Sequence, residues 1–168
     1  MNIITSSISL RSKPCNTSEL ETEGLFGEIV EIYNSHFDWL YCKLSTDDYF
    51  GWIKNENLDH LPQITHRVIS NRSFLFEKKN EKSECIMYLP LGSQLSVNSI
   101  QGKWAKVTLS ENFVQKCAYV PSKHIIQIND KVNDWVLIAE RLLGTPYKWG
   151  GRDTVGLDCS ALLQLSYQ

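Results

Sequence analysis

An internal repeat over the first 128 residues constrains the fold of this chain more than any other feature. An offset of 65 residues pairs Gly27 with Gly92 and Trp39 with Trp104, and it also aligns several apolar positions. After the tryptophans the second copy gains two residues, while the flanking pattern is preserved. A hairpin loop tolerates such an insertion between two strands. The sequence therefore predicts two structurally equivalent units in tandem.

The local pattern within each copy is that of β-structure. Apolar and β-branched residues recur at or near every second position in residues 28–33, 39–44, 94–97 and 104–107. Clusters of Asn, Ser, Asp and Gly separate these runs as turns. About five short strands in each copy predict a small closed barrel, because closure removes exposed sheet edges.

The boundaries of these units follow from a proline and from a change of pattern. Leu61-Pro62-Gln63 is the expected joint, since proline cannot donate to a strand ladder. We predict barrels at residues 1–60 and 67–128, a linker at 61–66, and a third domain that begins at 129.

The third domain is predicted to open with an amphipathic helix. Its apolar stripe has helical spacing and comprises Val132, Trp135, Val136, Ala139, Leu142 and Leu143. Asp130 or Asn133 is expected to cap the start, and Gly144 followed by Pro146 is expected to end the helix.

Composition restricts the classes of partner and compartment. A net charge of −2 gives no reason to expect nucleic acid or an anionic membrane as the main partner. The five scattered cysteines contain no Cys-x-x-Cys pair, which argues against a disulfide framework or a zinc cluster and favours a reducing compartment. The start of the chain has no signal-peptide pattern, and no apolar run approaches the ~20 residues of a spanning helix. A cytoplasmic location is the expectation, and no metal or cofactor is implied.

One cysteine near the end of the sequence has a setting that suits a nucleophile. Residues 143–151 read Leu-Gly-Thr-Pro-Tyr-Lys-Trp-Gly-Gly, and residues 158–164 read Asp-Cys-Ser-Ala-Leu-Leu-Gln. A thiol attacks as its anion, which unpaired N–H groups at the first turn of a helix favour. Asp158 is a competent N-cap, so Cys159 is predicted to lie in such a turn. The same N–H groups suit a developing oxyanion, and Tyr147 offers a hydroxyl donor.

These two segments resemble the nucleophile segment of NlpC/P60 cysteine peptidases, which are papain-like hydrolases of bacterial cell-wall peptides. The match runs from about residue 131 to the end and covers only the opening part of that catalytic domain. The preceding repeat is similar to the paired bacterial SH3 domains of γ-D-glutamyl-L-diamino-acid endopeptidases. The resemblance implies a mainly β fold: two small SH3-like β-barrels followed by the first helices of an incomplete α+β papain-like domain.

The resemblance also implies roles for residues that match the motif. Cys159 matches the nucleophile, and Tyr147 matches a tyrosine that lies close to it. Asp158 and Ser160 match the flanking pair that contacts the substrate, the acid helping to bind a free amino terminus.

Two further candidates come from the first barrel. Glu28 and Tyr49 lie in segments that resemble those whose Glu and Tyr wall off the N-terminal alanine of the substrate. Taken without the resemblance, Glu28 is expected to be an exposed strand residue and Tyr49 a barrel-packing residue.

The sequence departs from the family in its general base. The family uses a histidine well downstream of the cysteine, whereas every histidine here precedes the third domain: His36, His60, His66 and His124. General-base assistance is worth about 10²–10⁴-fold. We therefore predict that this chain is inactive alone and that its third domain is incomplete and mobile. The missing C-terminal part of the catalytic domain is then an expected partner, as for a fragment, a frameshifted copy or a split protein.

The leading hypothesis is the N-terminal portion of a cytoplasmic cysteine peptidase. Its substrates would be murein peptides with a free N-terminal L-Ala, cleaved between γ-D-Glu and the diamino acid through an acyl-enzyme. Two alternatives remain open: a non-catalytic peptide-binding module of two SH3-like barrels, and a papain-like acyltransferase.

Overall fold

The computed structural model describes residues 1–110, 113–114, 116–132 and 134–168. Antiparallel sheets dominate it, and two short helices lie near the C-terminal end. The prediction of a mainly β fold is confirmed.

The first barrel combines a five-stranded antiparallel sheet with a short two-stranded one. Its strands are β1 Asn2–Ile3, β2 Ser7–Arg11, β3 Leu20–Leu25, β4 Val30–His36, β5 Trp39–Leu44, β6 Phe50–Lys54 and β7 Leu58–Asp59. The large sheet has the order β3-β2-β6-β5-β4, and β1 pairs with β7. The strand expected from residue 28 begins instead at Val30, because Glu28 closes a turn by donating its N–H to Leu25 O at 3.1 Å.

The second barrel repeats this arrangement. Its strands are β8 His66–Val68, β9 Arg72–Phe76, β10 Cys85–Pro90, β11 Gln94–Leu95, β12 Val97–Gln101, β13 Trp104–Thr108, β14 Cys117–Pro121 and β15 Ile125–Gln127. The sheets have the orders β10-β9-β14-β13-β12 and β11-β8-β15. Strand β8 starts at the last residue of the predicted linker, and the run expected at 94–97 is divided between β11 and β12.

The repeat is visible in individual hydrogen bonds. Ile3 N donates to Glu28 O at 3.0 Å, and 65 positions later Val68 N donates to Ser93 O at 2.9 Å. After the tryptophans, β6 and β14 correspond at an offset of 67, so the two extra residues lie in the β13–β14 connection. The predicted tandem of equivalent units with one two-residue insertion is confirmed.

Each barrel inserts one side chain into the unit that follows it. Phe26 is fully buried in the core of the second barrel, against residues such as Leu75 and Leu95. Its counterpart Leu91 is buried in a third core, which it shares with residues of the C-terminal segment such as Leu165. The first barrel therefore packs on the second, and both contribute to the core of the C-terminal segment, the first through Leu25.

The glycine turns beside these side chains permit the close approach. Gly27 and Gly92 have φ values of 83° and 88°, a region that disfavours residues with a Cβ. A Cβ on Gly27 would lie 2.0 Å from Gln94 O, and one on Gly92 would lie 2.8 Å from Leu165 Cδ2. Neither turn has room for a larger residue.

The C-terminal segment contains two helices and a small hairpin. Its elements are α1 Trp135–Arg141, β16 Arg152–Asp153, β17 Gly156–Leu157 and α2 Cys159–Tyr167. Helix α1 is shorter than predicted and is capped by Asp134, whose side chain accepts from Leu137 N at 3.1 Å. Asp130 is therefore not the cap, and the alternative at position 133 lies outside the described residues. Gly144 has the positive φ expected beyond the end of the helix, 85°.

The predicted apolar stripe of α1 does not coincide with its buried face. Ile138 and Leu142 are buried between α2 and the barrels, whereas Trp135, Val136 and Leu143 are exposed. Apolar residues occupy two sides of this short helix, and only the side of Ile138 and Leu142 is buried in the core. No helix within the described ranges is long and apolar enough to cross a membrane.

Candidate functional site

Cys159 is the first residue of α2 and is exposed to solvent. It borders an open cleft of about 350 Å³, lined by Ala139, Leu142, Leu143, Gly144, Thr145, Tyr147, Leu157, Asp158, Cys159 and Leu162. Because helix geometry leaves the first N–H groups without an intrahelical partner, donors lie next to the thiol. An exposed thiol, helix-end amides and an apolar wall thus meet at one cleft.

Asp158 caps α2 and also fixes the loop before it. Its Oδ1 accepts from Ala161 N at 2.7 Å and from Ser160 Oγ at 2.8 Å. Its Oδ2 accepts from Gly150 N at 3.0 Å. The predicted N-cap is confirmed, and the same carboxylate holds the glycine loop against the start of the helix.

Tyr147 reaches the cleft because its segment is joined to the strand that precedes Cys159. Tyr147 forms a parallel bridge with Leu157, and Leu157 N donates to Pro146 O at 3.0 Å. The close packing needs glycine, since a Cβ on Gly151 would lie 2.4 Å from Gly156 O. The Gly-Gly sequence therefore serves chain packing within this loop.

A buried ion pair joins this loop to the first barrel. Arg152 is 1% exposed and Glu28 is 0% exposed. The guanidinium binds Glu28 through two hydrogen bonds, Nη1 to Oε2 at 2.8 Å and Nη2 to Oε1 at 2.9 Å. Glu28 Oε2 also accepts from Leu25 N at 2.8 Å. Such bidentate charge-assisted pairs are strong and fix geometry.

Further charged groups surround the pair. Asp47 Oδ2 lies 3.6 Å from Arg152 Nη1, and Arg152 Nη1 also donates to Glu23 O at 2.9 Å. Burial disfavours the charged guanidinium, but the carboxylates of Glu28 and Asp47 outweigh it and raise the pKa of Arg152. Burial raises the pKa of Asp47, although Arg152 opposes that shift. Lys148 forms an ion pair with Glu23 at the edge of the cluster.

The neighbouring residue of β16 contacts the second barrel instead. Asp153 Oδ2 accepts from the hydroxyl of Tyr88 at 2.8 Å. Burial, together with this hydrogen bond, raises the pKa of Tyr88. The dipeptide Arg152-Asp153 therefore joins the loop that precedes Cys159 to both barrels. Sequence reasoning missed it; the available signal was a pair of opposite charges in a glycine-rich loop.

Comparisons with known proteins agree on one family. A family profile described as "Bacterial dipeptidyl-peptidase Sh3 domain" matches residues 10–58. The γ-D-glutamyl-L-lysine dipeptidyl-peptidase of Bacillus subtilis (strain 168) is 26% identical over 162 residues, covering 89% of this chain. A crystal structure of an NlpC/P60 family protein from Bacillus cereus ATCC 10987 matches the fold with a TM-score of 0.81 and 18% identity, covering 99% of this chain and 72% of that one. Together these likenesses support an NlpC/P60 family member.

The chain spans about half the length, 53%, of the dipeptidyl-peptidase from B. subtilis. Dipeptidyl-peptidase 6 of Lysinibacillus sphaericus is also 26% identical, over 186 residues that cover 98% of this chain and 67% of that protein. The compared regions thus extend over the barrels and the C-terminal segment together.

The structure separates the residues predicted for the NlpC/P60 site into two groups. Tyr147, Asp158 and Cys159 line one cleft, whereas Ser160 does not line it and donates its hydroxyl to Asp158. Glu28 was expected, taken alone, to be exposed; this is wrong, because Arg152 draws its carboxylate into the interior.

The direct contacts predicted for Glu28 and Tyr49 with a substrate stay predictions. Both carboxylate oxygens of Glu28 are bound by Arg152. Tyr49 is 39% exposed rather than packed in the barrel, since it precedes β6 on a surface turn.

None of the histidines lines the cleft beside Cys159 in the part of the chain that the structure describes. His66 Nδ1 bonds to Thr65 Oγ1 at 2.9 Å, and His124 Nδ1 bonds to Ser73 Oγ at 2.9 Å. Burial lowers the pKa of both imidazoles. Within the same residues no group of three or more His, Cys, Asp or Glu side chains is arranged to hold a metal ion.

Proposed function

We propose that this chain provides the nucleophile-bearing part of an NlpC/P60 cysteine peptidase that acts on murein peptides. The bond is the one between γ-D-Glu and a diamino acid, in peptides with a free N-terminal L-Ala. The observation that carries the proposal is the exposed thiol of Cys159 at the first turn of α2, in a cleft bordered by Tyr147 and Asp158. The name of the B. subtilis relative, a γ-D-glutamyl-L-lysine dipeptidyl-peptidase, supports this substrate class.

The chemistry follows from the position of the thiol. Cys159 Sγ attacks the γ-glutamyl carbonyl, and the N–H groups at the first turn of α2 stabilise the oxyanion. The C–N bond then breaks and the amine of the diamino acid leaves with a proton. Water attacks the resulting thioester and releases the acid and the free thiol. The proton carrier is proposed to come from outside this chain, since no described histidine borders the cleft.

Substrate contacts are proposed for the residues around the thiol. The Asp158 carboxylate, held by Ser160 and Gly150, presents a fixed negative charge that attracts the amino terminus of the peptide. Tyr147 is largely exposed and forms one wall. Tyr49 is proposed to limit the length of the peptide from the barrel side, and Glu28 is proposed to act by holding Arg152.

An additional polypeptide segment is proposed to complete the domain. Trp135 of α1 stacks on Tyr167 of α2 with ring centroids 4.9 Å apart, and both are exposed. Val136 and Leu163 are exposed on the same helices, and Leu143 is exposed just beyond the end of α1. A set of large apolar side chains on adjacent helices is typical of a surface that another element covers.

The test compares the chain with a completed form. L-Ala-γ-D-Glu-diaminopimelate is incubated with the 168-residue chain and with the chain extended, after Gln168, by the corresponding C-terminal part of the B. cereus NlpC/P60 protein. We expect turnover only in the extended form, and its loss in Cys159→Ser but not in Cys15→Ser. Turnover that survives Cys159→Ser would contradict the proposal.

A second candidate is a peptide-binding module without catalysis. It is favoured by one observation, the absence of any described histidine from the cleft. Titration calorimetry with the same tripeptide distinguishes the two. Saturable binding with no turnover in either form supports the binding module, and turnover in the extended form excludes it. An amine added to the turnover reaction reports whether the acyl group passes to water or to an acceptor.

A further inference from the structure

A second cleft lies on the second barrel, and none of its lining residues is shared with the cleft beside Cys159. It encloses about 460 Å³, with Phe74, Phe76 and Trp104 at its apolar wall. The ring of Phe76 packs edge to face against Trp104, with centroids 5.6 Å apart, and it also lies 6.2 Å from the ring centroid of Phe74. Lys103 and Lys123 stand at the rim.

The equivalent place on the first barrel is filled. Lys54 Nζ lies over the ring of Trp39, 5.6 Å from its centroid, and is held there by Asp38 Oδ2 at 3.1 Å. Trp39 is consequently only 7% exposed. The first barrel therefore closes this position with its own side chains.

Two residue differences between the repeats leave the space beside Trp104 open on the second barrel. Pro121 stands where the first barrel has Lys54, and Lys103 stands where it has Asp38. The backbones agree, with φ and ψ of −75° and 131° at Lys54 and of −59° and 123° at Pro121. Trp104 keeps an intermediate exposure as a result. The opening therefore arises from different side chains at positions where Lys54 and Pro121 have similar φ and ψ.

The charge at the rim changes as well. Asp38 and Glu56 of the first barrel are replaced by Lys103 and Lys123. No ion pair among the described residues holds either lysine, and Glu81 is the acidic residue of the lining. The cleft thus combines an aromatic floor with two available cationic groups.

The hydrogen-bonding capacity of the lining selects the class of ligand. Ser122 Oγ already donates to Gly102 O at 3.0 Å, and His124 Nδ1 is bonded to Ser73 Oγ at 2.9 Å. Few groups therefore remain for the many hydroxyls of a saccharide. Aromatic grooves suit extended apolar or proline-containing peptides, and the lysines suit carboxylates.

We propose that this cleft binds an extended peptide segment in which acidic residues flank apolar ones. The floor of Phe74, Phe76 and Trp104 takes the apolar side chains, and Lys103 and Lys123 bind the flanking carboxylates. The proposal does not depend on the chemistry at Cys159.

The test uses the full chain and two pools of blocked heptapeptides. One pool has Glu at both ends and Pro, Leu and Tyr between, and the matched pool has Lys at both ends. We expect a saturable chemical-shift change of the Trp104 indole N–H with the acidic pool. Lys103→Asp should weaken binding about fivefold or more, because attraction becomes repulsion. The charge-matched control Lys13→Asp, an exposed lysine on the first barrel, should leave it unchanged.

The second variant places on the second barrel the Lys and Asp side chains that cover Trp39 on the first barrel. Lys103→Asp combined with Pro121→Lys recreates the closed arrangement of the first barrel on a backbone that already accepts lysine there, and we expect binding to disappear while the fold is retained. Equal binding of both pools, no shift up to the solubility limit, or undiminished binding to the doubly substituted chain would each overturn the proposal. Binding of vesicles of phosphatidylglycerol or of murein glycan strands in place of the acidic pool would overturn it as well.

Discussion

Substitution of Glu28 by glutamine tests whether the first barrel holds the loop that precedes Cys159. The change keeps the volume of the side chain and an oxygen for Leu25 N, which now bonds to Glu28 Oε2 at 2.8 Å. It removes the charge that the guanidinium of Arg152 binds through two hydrogen bonds. Arg152 cannot lose its proton to compensate, because arginine stays charged in proteins.

The magnitude follows from the burial of both partners. Breaking a buried ion pair by removing one charge costs about 3–5 kcal/mol. We expect about 3 kcal/mol, the lower end, since Asp47 remains 3.6 Å from Arg152 Nη1. This is a large share of the ~5–15 kcal/mol by which small domains are stable.

Urea unfolding and limited proteolysis form the assay. Urea gives the free energy of unfolding, and trypsin cleavage at the exposed Lys148 reports release of the loop from the barrels. We expect Glu28→Gln to lower the free energy of unfolding and to accelerate trypsin cleavage at Lys148. The control is Glu19→Gln, an exposed glutamate of the same barrel. A Glu28→Gln chain within about 0.5 kcal/mol of the parent, with unchanged cleavage, would refute the reasoning, because that is the range of ordinary surface changes.

Three further outcomes are expected from the structure. Gly27→Ala should destabilise the chain more than Gly102→Ala in urea unfolding. Both positions have a positive φ, which costs a residue with a Cβ about 1–2 kcal/mol, but only the Cβ at position 27 would meet a neighbouring atom, a backbone oxygen at 2.0 Å. Equal losses would contradict the docking of the barrels. Iodoacetamide at pH 8 should alkylate exposed Cys159 in the native chain and spare Cys42, since burial raises the pKa of the Cys42 thiol to about 12; peptide mass spectrometry checks this, and equal labelling would contradict it. Burial lowers the pKa of His124 below its ordinary value of 6.5, so the folded state favours the neutral imidazole, and the free energy of unfolding should fall as the pH drops below that value. Urea unfolding at a series of pH values should show a shallower fall for His124→Asn, and an unchanged pH dependence would contradict this expectation.

The repeat and the helix cap were predictable because they depend on local patterns. The offset of 65 with a later gain of two residues appears in the strands and in their turn hydrogen bonds. Asp158 caps α2 and places Cys159 at its first residue, as the run of helix formers after an Asp indicates. Both features are set by neighbours in sequence.

The contacts of the loop that precedes Cys159 were not predictable, because they join positions far apart in the chain. Glu28 and Arg152 are separated by 124 residues, and no local pattern marks a glutamate for burial with a distant arginine. The face of α1 that packs was missed for a similar reason. Its apolar residues surround a short helix, and only the tertiary partners of Ile138 decide which side is buried.

The serial insertion of Phe26 and Leu91 has a consequence for biosynthesis. The chain leaves the ribosome from its N-terminus, so the first barrel can present Phe26 before the second barrel, whose core contains that side chain, has been made. Leu91 of the second barrel is likewise available before the last segment, which packs on it. The units are therefore expected to fold in order from the N-terminus to the C-terminus. An excised second barrel would lack part of its own interior and should depend on its predecessor to mature.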